Sequence, residues 1–326
     1  MRKVLLSFAF VAATLVAHAQ DPVFSQYFNT PMLTNPALTG MFNGNVRIGA
    51  DYRNQWSQIN NAFETGTVAI DARLKGFNIG GVVMNQKAGT ASYQKTTAMA
   101  SGSYNVFKKK SPNHNLMIGI QAGIIQHSID QNNLSFGSQY IPGLGFDPSN
   151  PAGENILVDQ KTMFDLNVGL LWYMGNTSRK WNPFVGASAY HLTKPNTSFT
   201  TINTELPTKW ILHGGTRVNL NKHWALTPNA QLMWQEKGTN HMIGLNAHYR
   251  FLSTKSVLTG GLMYRLEDAF VPYIALDLGN MSFGFSYDYN TSDLSNVENT
   301  KGTYEVSIIY IFPNSKTETT PVCPRL

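Results

Sequence analysis

The sequence predicts a transmembrane antiparallel β-barrel of about fourteen strands. Three observations predict it: composition, period-two alternation of apolar and polar residues, and connectors that alternate in length. The 326 residues carry only 13 % charged side chains but 12 % aromatics and 27 glycines, at a mean hydropathy of −0.20. Ordinary soluble domains hold about 25 % charge. No apolar run after the N-terminus approaches the ~18 residues of a spanning helix. A strand barrel reconciles low charge with low bulk hydropathy, because it shows lipid only every second residue. The single Cys excludes a disulfide framework and a cysteine zinc site.

The first segment reads as an export signal. Arg2 and Lys3 precede an apolar run from Val4 to Val16, and Ala17-His18-Ala19 is a small-x-small cleavage site, so residues 1–19 are expected to be a secretory signal peptide. No Cys follows the cleavage site to take a lipid anchor. Losing Arg2 and Lys3 lowers the formal charge of +6 by two, and the basic run Lys108-Lys109-Lys110 falls in a turn. No nucleic-acid footprint is expected from so modest an excess.

The strands follow in order from alternation. Segments near 45–56, 63–75, 77–87, 92–107, 114–129, 161–174, 181–193, 207–220, 223–235, 240–251, 255–266, 269–279, 281–291 and 302–312 fit. In 281–290, Met281, Phe283, Phe285, Tyr287 and Tyr289 oppose Ser282, Gly284, Ser286, Asp288 and Asn290. In 303–312, Tyr304, Val306, Ile308, Tyr310 and Phe312 oppose Thr303, Glu305 and Ser307. Segment 181–193 has the least clear faces. An even count suits a single-chain bacterial barrel. Connectors such as 75–76, 221–222 and 279–280 are short, whereas 130–160, 194–206 and 292–301 are long. Short turns are periplasmic in outer-membrane barrels, so with fourteen strands the N-terminus and the C-terminus, with the tail 313–326, are both expected on the periplasmic side. A soluble β-sandwich shares the period but turns its apolar face inward and its charges outward. Here the polar faces carry Gly, Ser, Thr and Asn, and the apolar faces almost no Lys or Glu.

Residues 20–44 precede the first strand and do not alternate. They read Asp21-Pro22-Val23-Phe24-Ser25-Gln26-Tyr27, then Pro31, then Asn35-Pro36-Ala37-Leu38-Thr39-Gly40. The prolines prevent regular helix and extend their predecessors, and Asn35-Pro36 and Thr39-Gly40 punctuate turns. Phe24, Tyr27, Phe28, Met32, Leu33 and Phe42 need burial, in the lower lumen or against a partner. A periplasmic or plug-like segment is expected. Both halves of this opening, at this spacing, resemble the start of the PorP/SprF family of type IX secretion outer-membrane proteins of the Bacteroidetes. The loop Gly145-Phe146-Asp147-Pro148 with Gly153-Glu154, and the tail ending Cys323-Pro324, are similar to the family more weakly.

The resemblance implies a role in protein export in the outer membrane of a Gram-negative bacterium. It implies as partners a large secreted adhesin with a type B C-terminal sorting domain, or periplasmic secretion subunits, besides outer-membrane lipid. The two family roles, anchoring or exporting the adhesin and coupling to the periplasmic ring, stay open at the level of sequence, as does a general diffusion porin of the same architecture.

On the polar faces, Arg47, Asp51, Arg53, Asp71, Arg73, Asp165, Arg217, Arg250, Arg265, Asp277, Asp288 and Glu305 are expected to point into the lumen. They would neutralise one another across the interior, grip a polypeptide, or do both. Loop 130–160 is longer than ordinary connectors and carries Leu134, Phe136, Tyr140, Ile141, Leu144 and Phe146, so it is expected to fold over or into the extracellular mouth. No G-x-S-x-G or H-E-x-x-H motif occurs, and the histidines scatter over many strands. No catalytic residue, cofactor or metal site is expected.

Overall fold

The computed structural model describes residues 21–313 except 56–62, 90–92, 108–113, 131–133, 135, 148, 152, 154–157, 176–178, 202 and 293–301. The signal segment, Lys108-Lys109-Lys110, Pro148, Glu154 and the tail with Cys323 therefore lie outside the described residues.

The strands are β1 (Val46–Gln55), β2 (Phe63–Arg73), β3 (Phe77–Ala88), β4 (Tyr93–Asn105), β5 (His114–Ser128), the short pair β6 (Tyr140–Ile141) and β7 (Gly145–Phe146), β8 (Gln160–Met174), β9 (Trp181–Tyr190), β10 (Lys209–Asn219), β11 (Trp224–Gln235), β12 (Gly238–Arg250), β13 (Val257–Arg265), β14 (Ala269–Leu278), β15 (Met281–Asn290) and β16 (Thr303–Phe312). All but β6 and β7 form one closed barrel of fourteen antiparallel strands. It is sealed by β1 on β16, in a register running from Val46 opposite Phe312 to Gln55 opposite Thr303. Closure leaves no unpaired edge, which is what a sheet in lipid requires.

Alternation decides the faces. Val68, Ile70, Ile120, Phe164, Leu170, Leu262 and Ile274 stand exposed on the outside. Asp165 and Glu305 are 0 % exposed, and Gln121, Asn246 and Asp288 are 1 % exposed, on the inside. This is the inverse of a soluble sandwich. Proline on the wall sits outward and interrupts pairing: the β10–β11 ladder breaks beside Pro228 and the β14–β15 ladder beside Pro272. Strand β9 ends at Tyr190, three residues before the expected boundary, because His191 takes φ +60° and turns the chain out of the sheet.

The long connectors gather at one end, together with the short turns 236–237 and 266–268. The turns 74–76, 220–223, 251–256 and 279–280 share one rim with the start of β1 and the end of β16. The connectors 129–159, 191–208 and 291–302 share the other.

The lumen is filled by the chain's own opening. Residues 21–42 enter at the long-loop end and run down to the short-turn end before joining β1. A single helical turn α1 (Pro31–Thr34) and a 3-10 turn (Pro36–Leu38) are its only regular structure. Its apolar side chains meet apolar patches of the wall. Tyr27 and Phe28 cluster with Met242, Met263 and Tyr273. Leu38 and Met41 cluster with Met117, Leu171, Tyr173 and Phe184, and Met32 with Val82, Met99, Ile125 and Met163. Flexible methionine suits the irregular gap between an aperiodic segment and a regular wall.

Candidate functional site: an internal plug and its anchors

The plug bonds to the barrel at three levels. At the long-loop end, one wall receives Ser25 and Gln26. Ser25 Oγ donates to Asp288 (2.7 Å), and the backbone N–H groups of Ser25 and Gln26 donate to the two oxygens of Glu305 at 2.9 and 2.8 Å. Arg53 donates to Asp288 (2.9 Å) and Glu305 (3.1 Å), and Arg265 donates to Asp288 (3.0 Å). Asp288 and Glu305 thus hold Arg53 and Arg265 inside the wall, Arg265 also reaching Asp268 at 2.9 Å, and the plug supplies the neutral hydroxyl and amides that complete the carboxylates' hydrogen bonds. Unpaired, each buried charge would cost several kcal/mol. Tyr27 donates its phenol to Asn229 (2.7 Å) on β11.

The facing wall receives Asp21. Its carboxylate accepts from Lys95 (2.5 Å) on β4 and Lys209 (2.6 Å) on β10. His191 bridges Asp21 (Nε2, 2.7 Å) and Asp165 (Nδ1, 2.8 Å). Burial opposes the charge on Asp21, but Lys209, Lys95 and His191 outweigh it and hold the carboxyl well below the usual carboxylate range. Burial likewise opposes the imidazolium of His191, yet Asp21 and Asp165 raise its pKa above the ordinary histidine value.

In the middle, Asn35 caps the Pro36–Leu38 turn by accepting from the N–H of Ala37 (2.9 Å), while its amide donates to the carbonyl of Leu170 (2.8 Å) and contacts His213 Nε2 (3.0 Å). The turn approaches the wall closely because glycine faces it. A methyl group at Gly169 would collide with Asn35 Oδ1 and Pro36 Cδ, and one at Gly119 with the backbone of Pro36 and Ala37. At the short-turn end, Thr39 bonds Ser101 (2.6 Å). The N–H of Gly40 donates to Asp71 (2.7 Å), which Arg47 grips through two nitrogens at 2.9 and 2.7 Å. Gly40 takes φ +73°, where a side chain would also strike Asn78.

Every polar residue of the N-terminal motif therefore meets the wall. Of the proposed lumen charges, Asp51, Arg53, Asp71, Asp165, Arg265, Asp288 and Glu305 are buried inside. Arg47 and Arg73 reach the plug near Phe42, Arg73 donating to its carbonyl at 3.2 Å. Asp277 is half-buried and accepts from Ser282 (2.5 Å). Arg217 is half-buried beside Asn219 (3.4 Å). Arg250 departs from expectation: it has the inward parity but stands exposed, because it is the last residue of β12 at the rim. In loop 130–160, Gly145-Phe146 pairs with Tyr140–Ile141 as a small hairpin whose tip, Leu144, is 84 % exposed. Asp147 caps its own turn by accepting from Ser149, and Gly153 takes φ +72°.

Lys95, Lys209, His191, Gln235 (whose Oε1 accepts from the backbone N–H of Asp21 at 3.0 Å) and the facing glycines escaped sequence reasoning. Lys95 was detectable: it shares inward parity with Thr97, Met99 and Ser101, and a lysine inside a barrel wall demands a partner.

Fold and site together define an outer-membrane β-barrel with a polar lumen closed by its own N-terminal segment. The chain belongs to the type IX secretion system membrane protein PorP/SprF family, which matches residues 16–310. No curated protein matches it. Solved structures share the fold. The Ralstonia pickettii toluene transporter TbuX has TM-score 0.50 at 10 % identity, covering 86 % of this chain and 92 % of that one. A TodX monoaromatic hydrocarbon channel mutant lacking S2 and S3 has TM-score 0.51 at 12 % identity, covering 86 % and 94 %.

Proposed function

We propose that this barrel serves type IX secretion as a holding partner, exporting or retaining at the surface a large adhesin with a type B C-terminal sorting domain. The observation that carries this reading is the plug. It is fastened at both mouths and in the middle, through Asp21, Ser25, Asn35 and Gly40. A lumen filled this way offers rims and loops to a protein rather than a bore to solutes, which speaks against a general diffusion porin. The exposed tip at Leu144 is one such surface on the long-loop side. The reading gives the barrel a binding role and no catalytic one.

Purification in mild detergent, with identification of the bound proteins, tests it. A co-purifying type B adhesin is the expected result. Recovery of periplasmic ring subunits alone would move the assignment to the core machinery. A wide, steadily open conductance with no bound protein would overturn it in favour of a porin.

A further inference from the structure

The inner face of β16 is covered by the plug where the strand begins and open where it ends. Gln26 donates its backbone N–H to Glu305 (2.8 Å) and Asn29 its amide to Ser307 (2.9 Å), and both wall residues are buried. Ile309 and Ile311 continue that face toward the short-turn rim, yet they are only half-buried. They line a cavity of about 220 Å³ between the plug and the wall formed by β12 to β16. Phe28, Met41 and Phe42 of the plug line it as well, and Pro313 lines it at the rim. Apolar side chains gain nothing by pointing into a wet lumen, so two successive inward isoleucines call for a cover.

The chain itself arrives at the cavity's mouth. Pro313 is where it leaves β16, and residues 314–326 follow. They divide in two. The stretch 314–320 is polar throughout and reaches at most about 23–25 Å, enough to leave the rim and turn back. Pro321-Val322-Cys323-Pro324 is apolar, and its two prolines lower the entropy lost when it is held extended. The N-terminal plug has the same make-up, prolines spaced among apolar side chains, and it packs inside this barrel. Charge fits too: Asp277 lines the cavity, Arg47 there is engaged by Asp71, and Arg325 follows the apolar stretch. A short tether keeps the segment at an effective concentration on the order of millimolar, so modest contacts suffice.

We infer that Pro321-Val322-Cys323-Pro324 of the C-terminal tail seats in this cavity, over Ile309 and Ile311, and stops the short-turn end of the lumen beside the plug. This does not depend on which protein the barrel holds.

Cys323 is the sole cysteine, which makes the test direct. In the purified full-length barrel, a maleimide should label Cys323 at least tenfold more slowly in the folded than in the heat-unfolded chain. Val322→Asp leaves the wall untouched and should remove that protection. A neighbouring carboxylate by itself disfavours the thiolate, so a faster reaction reports undocking. Ser282→Cys puts a second thiol in the cavity, and Lys222→Cys puts one on the same rim outside it. Under mild oxidation the first should form a disulfide with Cys323 and the second should not, although the chain from Pro313 to Cys323 spans up to about 33–36 Å and can range along the rim. Migration of the unheated variants as folded barrels shows that the wall is intact. Equal labelling of the folded and unfolded chains overturns the inference. So does a disulfide at position 222 as abundant as at 282, or protection with no disulfide at 282, either of which puts the tail elsewhere. Protection present in native membranes but lost on purification overturns it in favour of a separate partner over the tail.

Discussion

Ser25 Oγ lies 2.7 Å from Asp288 Oδ1, joining residues 263 positions apart between an aperiodic leader and a barrel strand. The same Asp288 binds Arg53 and Arg265. Removing its carboxylate leaves two buried guanidiniums short of a partner, whereas removing the Ser25 hydroxyl leaves the ion network itself intact. Asp288→Ala is expected to destabilise the folded barrel by about 3–5 kcal/mol, and Ser25→Ala by about 1–3 kcal/mol. Thermal unfolding in detergent, followed by the shift in gel migration, measures both. Equal losses would show that the network does not depend on Asp288 as its hub.

The Asp21–His191 anchor is expected to work only within a pH window. His191 has a raised pKa when folded, so its contribution is complete below the unfolded value of about 6.5 and is lost as pH rises through the raised value. Asp21 has a lowered pKa, so its contribution is present above about 3.9 and is lost as pH falls through the lowered value. Limited proteolysis of residues 21–44 across pH should therefore be slowest between these limits. His191→Gln should remove the alkaline limb and spare the acid one. An unchanged alkaline limb would assign it to another group.

Gly169 lies opposite Gly119 across β5 and β8, and together they admit the Asn35-Pro36-Ala37 turn. Gly169→Val is expected to push the turn off the wall and break the Asn35 amide bond to Leu170. The barrel hydrogen bonds do not use the missing side chain, and valine suits a strand. The expected outcome is a folded barrel whose residues 21–44 become sensitive to protease by at least tenfold. Protection equal to the unsubstituted protein would mean that the turn does not depend on this approach.

The strand positions were readable because a lipid-facing wall enforces a strict period of two, and Ser282 to Asn290 or Val46 to Arg53 obey it without exception. The plug's path was not readable. Pro22, Pro31 and Pro36 announce an aperiodic chain with apolar side chains to bury, but nothing local says whether it hangs beneath the barrel or threads it. That is settled by pairings of high sequence separation, Asp21 with Lys209 and Gln26 with Glu305. Arg250 shows the other limit: parity gives the direction of a side chain, while position along the strand decides whether the lumen or the rim receives it.

Deleting residues 21–42 is the most direct test that the plug closes the barrel. The wall charges it covers do not depend on it for neutrality: Asp288 and Glu305 keep Arg53 and Arg265, and Asp71 keeps Arg47. Lys95 and Lys209 lose Asp21, but an emptied lumen admits water, which hydrates them at little cost compared with a dry interior. The barrel ladders, including the β1–β16 seam that begins at Val46, lie outside the deleted stretch. The deleted form should therefore still migrate as a folded barrel. In planar bilayers it should open a large, steady conductance that the full-length protein lacks. A folded deletion variant that stays closed would place the barrier in the long connectors 129–159 and 191–208 instead.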